Sequence, residues 1–191
     1  LDKTTAATAP RPVPNSTVNA IEATGDGGLY LGGSFSTLGV YTPNLVTYAE
    51  GVDFPEYLGL TASGTVRTVI PDGEGGYYLG GSFSSIGGIE RQRVAHVLSD
   101  GTVDPDFNPE LNSTVLCLAL GAEHLYIGGS MTQVNGISVQ RLIRVNTATG
   151  MLDEDFIPSI NSSVNAVTLD GGNIYIGGSF TDVNSESRTR L

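Results

Sequence analysis

Tryptophan is missing from these 191 residues, cysteine and lysine occur once each, and the two histidines are His96 and His124. A lone Cys117 cannot close an internal disulfide, and without a Cys/His cluster at ligand spacing a zinc site is excluded. Positive charge is scarce as well: 9 Lys and Arg face 20 Asp and Glu, for a net charge of −11 at pH 7. A phosphate backbone or an anionic lipid surface would be repelled, so neither nucleic-acid binding nor membrane insertion is expected. No apolar run approaches the roughly 20 residues a membrane helix needs, and the start of the chain lacks the charged segment and apolar core of a leader peptide. The reading is a soluble chain, processed or excised. Charged residues make up only 15%, whereas there are 26 glycines, which destabilise helix interiors. An all-β fold is expected.

What is present is a repeat. Leu-Tyr-Leu-Gly-Gly-Ser-Phe ends at Phe35, Tyr-Tyr-Leu-Gly-Gly-Ser-Phe at Phe83, Leu-Tyr-Ile-Gly-Gly-Ser-Met at Met131, and Ile-Tyr-Ile-Gly-Gly-Ser-Phe at Phe180. The first glycines, Gly32, Gly80, Gly128 and Gly177, recur every 48 or 49 residues, and so do Val18, Val66, Val115 and Val164. A third apolar run (Leu45 to Tyr48, Val94 to Val97, Leu142 to Val145) follows each glycine pair where the chain continues. The fourth landmark is an acid-aromatic-proline segment: Asp53-Phe54-Pro55, then Asp104 to Pro109, then Asp153 to Pro158. Glycine-rich turns such as Gly25 to Gly28 and Asp170 to Asn173 separate the first two runs and suit tight hairpins.

Four short antiparallel strands recurring every 48–49 residues predict a β-propeller of four-stranded blades. The units are placed at 15–62, 63–111, 112–160 and, partial, 161–191, with 1–14 as a linker or outer closing strand. About four repeats suggest part of a larger propeller or repeat array, with a closed four-bladed ring as the alternative. Simple alternation along the first strand groups Val18, Val66, Val115 and Val164 with Ala20, Thr68, Cys117 and Ala166, and sets Ile21, Val69, Leu118 and Val167 on the opposite face. A strand apolar on both faces is buried between neighbouring sheets. The glycine pair leaves room for another backbone or ring, or for a bulge, and Phe35, Phe83, Met131 and Phe180 are wedges between blades.

The pattern Val-x-x-[Ile/Val], Ile-Tyr-Ile-Gly-Gly-Ser-Phe, Val-Asn-Gly, Arg-Leu-[Ile/Ala]-Arg-[Val/Leu]-Asn and Gly-x-[Val/Leu]-Asp-x-x-Phe-x-Pro resembles the delta-60 type propeller repeat of large secreted and surface proteins of bacteria. The Gly-Gly strand ends are similar to kelch repeats, without the spaced Tyr and Trp of that family. The resemblance implies a propeller, an extracellular or cell-surface location, and no enzymatic signature; it carries over no catalytic residue, and no cofactor is expected.

Candidate chemistry is weighed against framework roles. Asp104-Pro105-Asp106 and Asp153-Glu154-Asp155 could offer oxygen ligands to calcium, but an acid recurring once per unit is better explained as a staple to Arg93, Arg141 and Arg190. Asn15, Asn112 and Asn161 head Asn-x-Ser/Thr triplets that fit either glycosylation or turn-forming hydrogen bonds. His96 lies mid-strand as a packed or surface residue, and Cys117 fills a position held elsewhere by Ala and Thr. The expected interaction face comprises Asn15, Tyr41, Asn112, Asn135 and Asn161, together with the variable loops after each glycine pair. The leading expectation is a non-catalytic extracellular module, structural, adhesive or protein-binding, whose partners are other chains or further blades. Carbohydrate binding is the alternative, and a propeller enzyme such as a glycosidase, which would need two carboxylates flanking a cleft, is the third reading.

Overall fold

The computed structural model describes residues 14–23, 29–35, 37–38, 40–41, 45–48 and 60–188, with the backbone alone at 37–38, 40–41 and 45–48. The strand expected at 1–14 therefore lies outside the described residues except for Pro14, as do Gly25 to Gly28, Asp53 to Pro55 and Arg190.

Every regular element among the described residues is a strand. The first unit holds β1 (Val18–Ala23), β2 (Leu29–Gly33), β3 (Thr37–Leu38), β4 (Val40–Tyr41) and β5 (Leu45–Tyr48). The second holds β6 (Val66–Pro71), β7 (Tyr77–Gly81), β8 (Ser85–Ile86), β9 (Ile89–Glu90) and β10 (Val94–Val97). The third holds β11 (Val115–Leu120), β12 (His124–Gly129), β13 (Gln133–Val134), β14 (Ile137–Ser138) and β15 (Leu142–Asn146). The fourth holds β16 (Val164–Asp170), β17 (Asn173–Gly178), β18 (Asp182–Val183) and β19 (Glu186–Ser187). The sheet orders β1-β2-β5, β6-β7-β10 and β11-β12-β15 are antiparallel meanders, with β16-β17 as their two-stranded counterpart. The β16-β17 turn has Gly171 and Gly172 at φ 55° and 84°, positive at both central positions as a type I′ hairpin requires.

In the second and third units the expected fourth strand is reduced to one bridge, Val97 to Val103 and Val145 to Leu152. The acid beside the bridge explains why. Asp104 Oδ1 accepts the Asp106 amide at 2.9 Å and Asp153 Oδ1 accepts the Asp155 amide at 3.0 Å, which curls the chain out of the ladder before proline removes a further donor. The segments expected to be variable loops after the glycine pairs contain two-residue hairpins, β3-β4, β8-β9, β13-β14 and β18-β19.

The predicted face assignment along the first strand needs correction. In all four units the register shifts between the valine and the residue two further on, a β-bulge. The valine is thereby turned away from the Ala, Thr or Cys with which it was grouped. Val66 Cγ1 lies 2.6 Å from the site of a Cβ on Gly32 of the preceding sheet, whereas Thr68 Cγ2 lies 2.7 Å from that of Gly80 in its own sheet, on the side facing Val115. Val66 and Val69 therefore look back toward the preceding unit and Thr68 looks forward.

The bulge also accounts for both glycines of the pair. A Cβ on the second glycine would meet the carbonyl oxygen at the start of its own unit's first strand, at 2.2 Å for Gly33, 2.1 Å for Gly81, 2.2 Å for Gly129 and 2.1 Å for Gly178. A Cβ on the first glycine would meet the valine of the next unit, at 2.6 Å for Gly32, 2.5 Å for Gly80 and 2.9 Å for Gly128. Of the four residues expected as wedges, Phe35, Phe83 and Met131 are fully buried beside these pairs and Phe180 is partly buried. The first strands stack in series, β1 on β6, β6 on β11 and β11 on β16, and the largest apolar cluster lies around the second and third sheets, with Tyr78, Phe107, Leu118, Leu125 and Ile127 among its members.

Candidate functional site

Two places concentrate polar chemistry. The first is the end of the molecule where the lead-in to each first strand meets the small hairpin of the same unit. Ala62 bridges Ile86, Leu111 bridges Val134 and Ile160 bridges Val183, so lead-in and hairpin share one end in three successive units. Asn112 Oδ1 accepts the amides of Thr132 and Gln133 at 3.0 and 3.1 Å while its Nδ2 donates to Thr132 Oγ1. Asn161 repeats this with the amides of Thr181 and Asp182 and with Thr181 Oγ1. Ser63 performs the same task in the second unit, accepting the amides of Ser84 and Ser85 at 2.9 Å each. These side chains do bond to backbone, but across about twenty residues rather than within the local turn foreseen from sequence. Asn15 occupies the equivalent place in the first unit. Asn135, at φ 49° on its hairpin tip, accepts the Glu110 amide through Oδ1 at 2.8 Å, and Asn184 does the same for Ser159. Tyr41 pairs with Thr37 on the first hairpin, and its side chain lies outside the described residues. Three of the five expected interaction residues, Asn112, Asn135 and Asn161, thus come together on one end with their amides engaged in the framework. Ile89 and Ile137, at matching hairpin positions, remain exposed beside them.

The second place was not foreseen. His96 is buried between two carboxylates: Nδ1 lies 2.7 Å from Asp104 Oδ2 and Nε2 lies 3.1 Å from Asp72 Oδ2. A neutral ring has one N–H and can donate to one of them, whereas the imidazolium donates to both. The ring stacks on Tyr78 with centroids 4.2 Å apart and meets the edge of Phe107. Burial, followed by the charges of Asp72 and Asp104, pushes the Tyr78 hydroxyl up to about 12, and that hydroxyl donates to the Thr147 carbonyl. Asp72, Glu74, Tyr78, His96 and Asp104 form one side of a cleft of about 270 Å³ against the β11-β12 turn.

The third unit shows what this arrangement is. Arg144 stands where His96 stands, lies over the Tyr126 and Phe156 rings, and donates Nε to Asp153 Oδ2 at 2.8 Å, with a second bond from its terminal nitrogen. The staple predicted from the recurring acid exists, but its partners are the mid-strand residues His96 and Arg144. Arg93 and Arg141 instead turn to backbone, donating to the carbonyls of Ser82 and Ser130, where each holds its residue at positive φ. They sit at the strand entrance facing the glycine-serine segment, while the mid-strand position faces the fourth segment. The equivalence of His96 and Arg144 within the repeat is the sequence signal that could have pointed to this site.

As chemistry, the cleft is committed. Both nitrogens of His96 are engaged, and Asp72 Oδ1 also accepts the amides of Glu74 and Gly76. Among the described residues, no group of three or more His, Cys, Asp or Glu is arranged to hold a metal ion. Burial pushes the Cys117 thiol up to about 12, which leaves it a neutral packing group.

Repeated antiparallel sheets with these glycine-valine joints define a β-propeller-like repeat protein. Residues 75–107 and 124–156 match the family described as Domain of unknown function (DUF5122) beta-propeller, each match beginning in or just before the second strand of a unit and ending just past the stapled acid. A comparison with curated proteins gave no match.

Proposed function

We propose that the chain is a non-catalytic module of the delta-60 propeller type, extracellular or at a cell surface. Its units act as four-stranded blades with a reduced outermost member, and its hairpin end meets another protein chain. The observation that supports this reading is the division of labour at that end. Asn112, Asn135 and Asn161 are tied to backbone, which makes the end rigid, while Ile89 and Ile137, 45% and 39% exposed, present aliphatic surface at matching places on successive hairpins. A rigid platform with apolar anchors inside a polar surround is what protein contacts favour.

The test pairs a binding measurement with an activity measurement. A protein held by the wild type from a native cell-envelope extract should be lost by the Ile89→Asp/Ile137→Asp double variant with an unchanged circular dichroism spectrum. Turnover in a panel of glycoside, ester and peptide substrates that disappears in His96→Gln would overturn the non-catalytic reading. Saturable binding on a glycan array that depends on Tyr41 would transfer the module to the carbohydrate-binding alternative.

A further inference from the structure

The second and third units differ at three positions that meet on one peptide bond. Where the third unit has Val139, Arg144 and Glu154, the second has Arg91, His96 and Pro105, and Asp104-Pro105 is the one Asp-Pro bond in the sequence. Arg91 is a buried guanidinium, 7% exposed. One terminal nitrogen donates to the Asp104 carbonyl oxygen at 2.7 Å and the other to the Glu90 carbonyl, while Nε has no partner. Burying a cation against carbonyls alone is costly, and a carbonyl held by such a donor is polarised toward attack at its carbon. On the carboxyl side of the same residue, His96 Nδ1 lies 2.7 Å from Asp104 Oδ2, and Asp72, 3.1 Å from Nε2, fixes the ring. Asp104 Oδ1 accepts the Asp106 amide, which closes a ring of atoms containing the Asp104-Pro105 bond and folds the carboxyl over it. Pro105 itself is exposed, so water reaches the bond. Asp153 makes the same fold-back to the Asp155 amide, but its carboxyl is held by Arg144 and its neighbour is Glu154.

We propose that the second unit cuts its own chain at Asp104-Pro105. Asp104 Oδ1 attacks the carbonyl carbon of its own residue, and Arg91 stabilises the negative charge that gathers on the carbonyl oxygen. The carbon–nitrogen bond then breaks, and the Pro105 nitrogen leaves as a secondary amine with the proton that Oδ2 shares with His96 Nδ1. A cyclic anhydride remains on Asp104, and one water hydrolyses it to two carboxyl groups. Asp72 is a positioning residue that acts through His96. Phe107, buried among Tyr78, Leu111 and Val115, keeps the new end docked after the cut. The step occurs once per chain and uses neither the hairpin end nor a foreign substrate, so its failure leaves the binding and turnover tests above untouched.

Purified chain incubated in mildly acidic buffer should yield, by denaturing mass spectrometry, one fragment ending at Asp104 and one beginning at Pro105. Arg91→Val and His96→Arg install the third unit's residues and should each slow the cut by about a hundredfold, the scale of one oxyanion donor or one positioned acid, with an unaltered circular dichroism spectrum. Asp72→Asn should also slow it, with the rate recovered in Asp72→Glu, and Pro105→Ala, at an exposed position, should stop it. Hydroxylamine present during the cut should appear as a hydroxamate on the fragment that ends at Asp104, the mark of an anhydride that direct hydrolysis does not leave. The urea-unfolded wild type sets the background rate of an unassisted Asp-Pro bond, and the folded chain should exceed it. A chain that stays intact, an equal rate folded and unfolded, or a cut that Arg91→Val and His96→Arg both leave at wild-type speed would each overturn the inference.

Discussion

Gly128 and Gly177 hold the same place in the same register, one opposite Cys117 and the other opposite Ala166. A Cβ on Gly128 would lie 2.5 Å from Cys117 Sγ and 2.9 Å from Val164 Cγ1, while among the described residues one on Gly177 would meet only Ala166 Cβ, at an ordinary 3.9 Å. The same letter in the repeat therefore answers to two environments. The second glycine of each pair is required by the bulge of its own sheet; the first is crowded by the valine of the neighbouring sheet and, at Gly80 and Gly128, also by Thr68 and Cys117 of its own. Among the described residues the fourth sheet thus differs from the central ones in the surroundings of this glycine as well as in its number of strands.

The wedge residues should show the largest contrast. Phe83 is fully buried within the second sheet's cluster, and its replacement by alanine should cost about 3–5 kcal/mol through lost transfer energy and the cavity left behind. Phe180 is only partly buried against the fourth sheet, so Phe180→Ala should cost less than half as much. Urea midpoints of the two variants compare them directly. Equal losses would mean that the fourth sheet is packed as tightly as the second.

The glycines themselves give the next effect. Gly128→Val must displace Val164 and Cys117 together, an overpacking cost of about 1–3 kcal/mol. Gly177→Val should stay within about 0.5 kcal/mol of wild type, as a surface substitution does. A severe loss at Gly177 would show that its open face is covered within one chain.

Much of this was legible before any coordinates. The spacing of Gly32, Gly80, Gly128 and Gly177 gives the unit, and the glycine pair correctly announces close backbone approach. Two features escaped because they depend on more than period. The bulge after each first valine changes which face that residue serves, and alternation alone cannot register one inserted residue. The small hairpins were legible in part: Val134-Asn135-Gly136-Ile137 carries the Asn-Gly signal of a tight turn between two apolar residues. At the staple, Asp104 and Asp153 were singled out correctly, but adjacency along the chain favoured Arg93 and Arg141. The pairing of Arg144 with Asp153 is a relation between adjacent segments of one unit, visible only when His96 and Arg144 are seen as one position occupied by two different nitrogen-bearing side chains.

That staple provides the smallest expected effect and refines the contrast, because it braces the forward tyrosine of the second and third sheets, the side chain that stands exposed on the fourth. The Arg144 hydrogen bond, aided by the Asp155 amide and by the Arg144 and His124 charges, outweighs partial burial and holds the Asp153 carboxyl below the usual carboxylate range. A carboxyl whose value is lowered in the fold binds fewer protons folded than unfolded around its titration range. Its contribution is therefore complete above the unfolded value near pH 3.9 and is lost as pH falls through the lower folded value. The urea midpoint of wild type should exceed that of Asp153→Asn by a constant margin from pH 7 to about pH 5, and the margin should shrink below about pH 4. A margin that persists unchanged into stronger acid would show that the Arg144 contact acts through ring stacking on Tyr126 and Phe156, with the carboxylate contributing only shape.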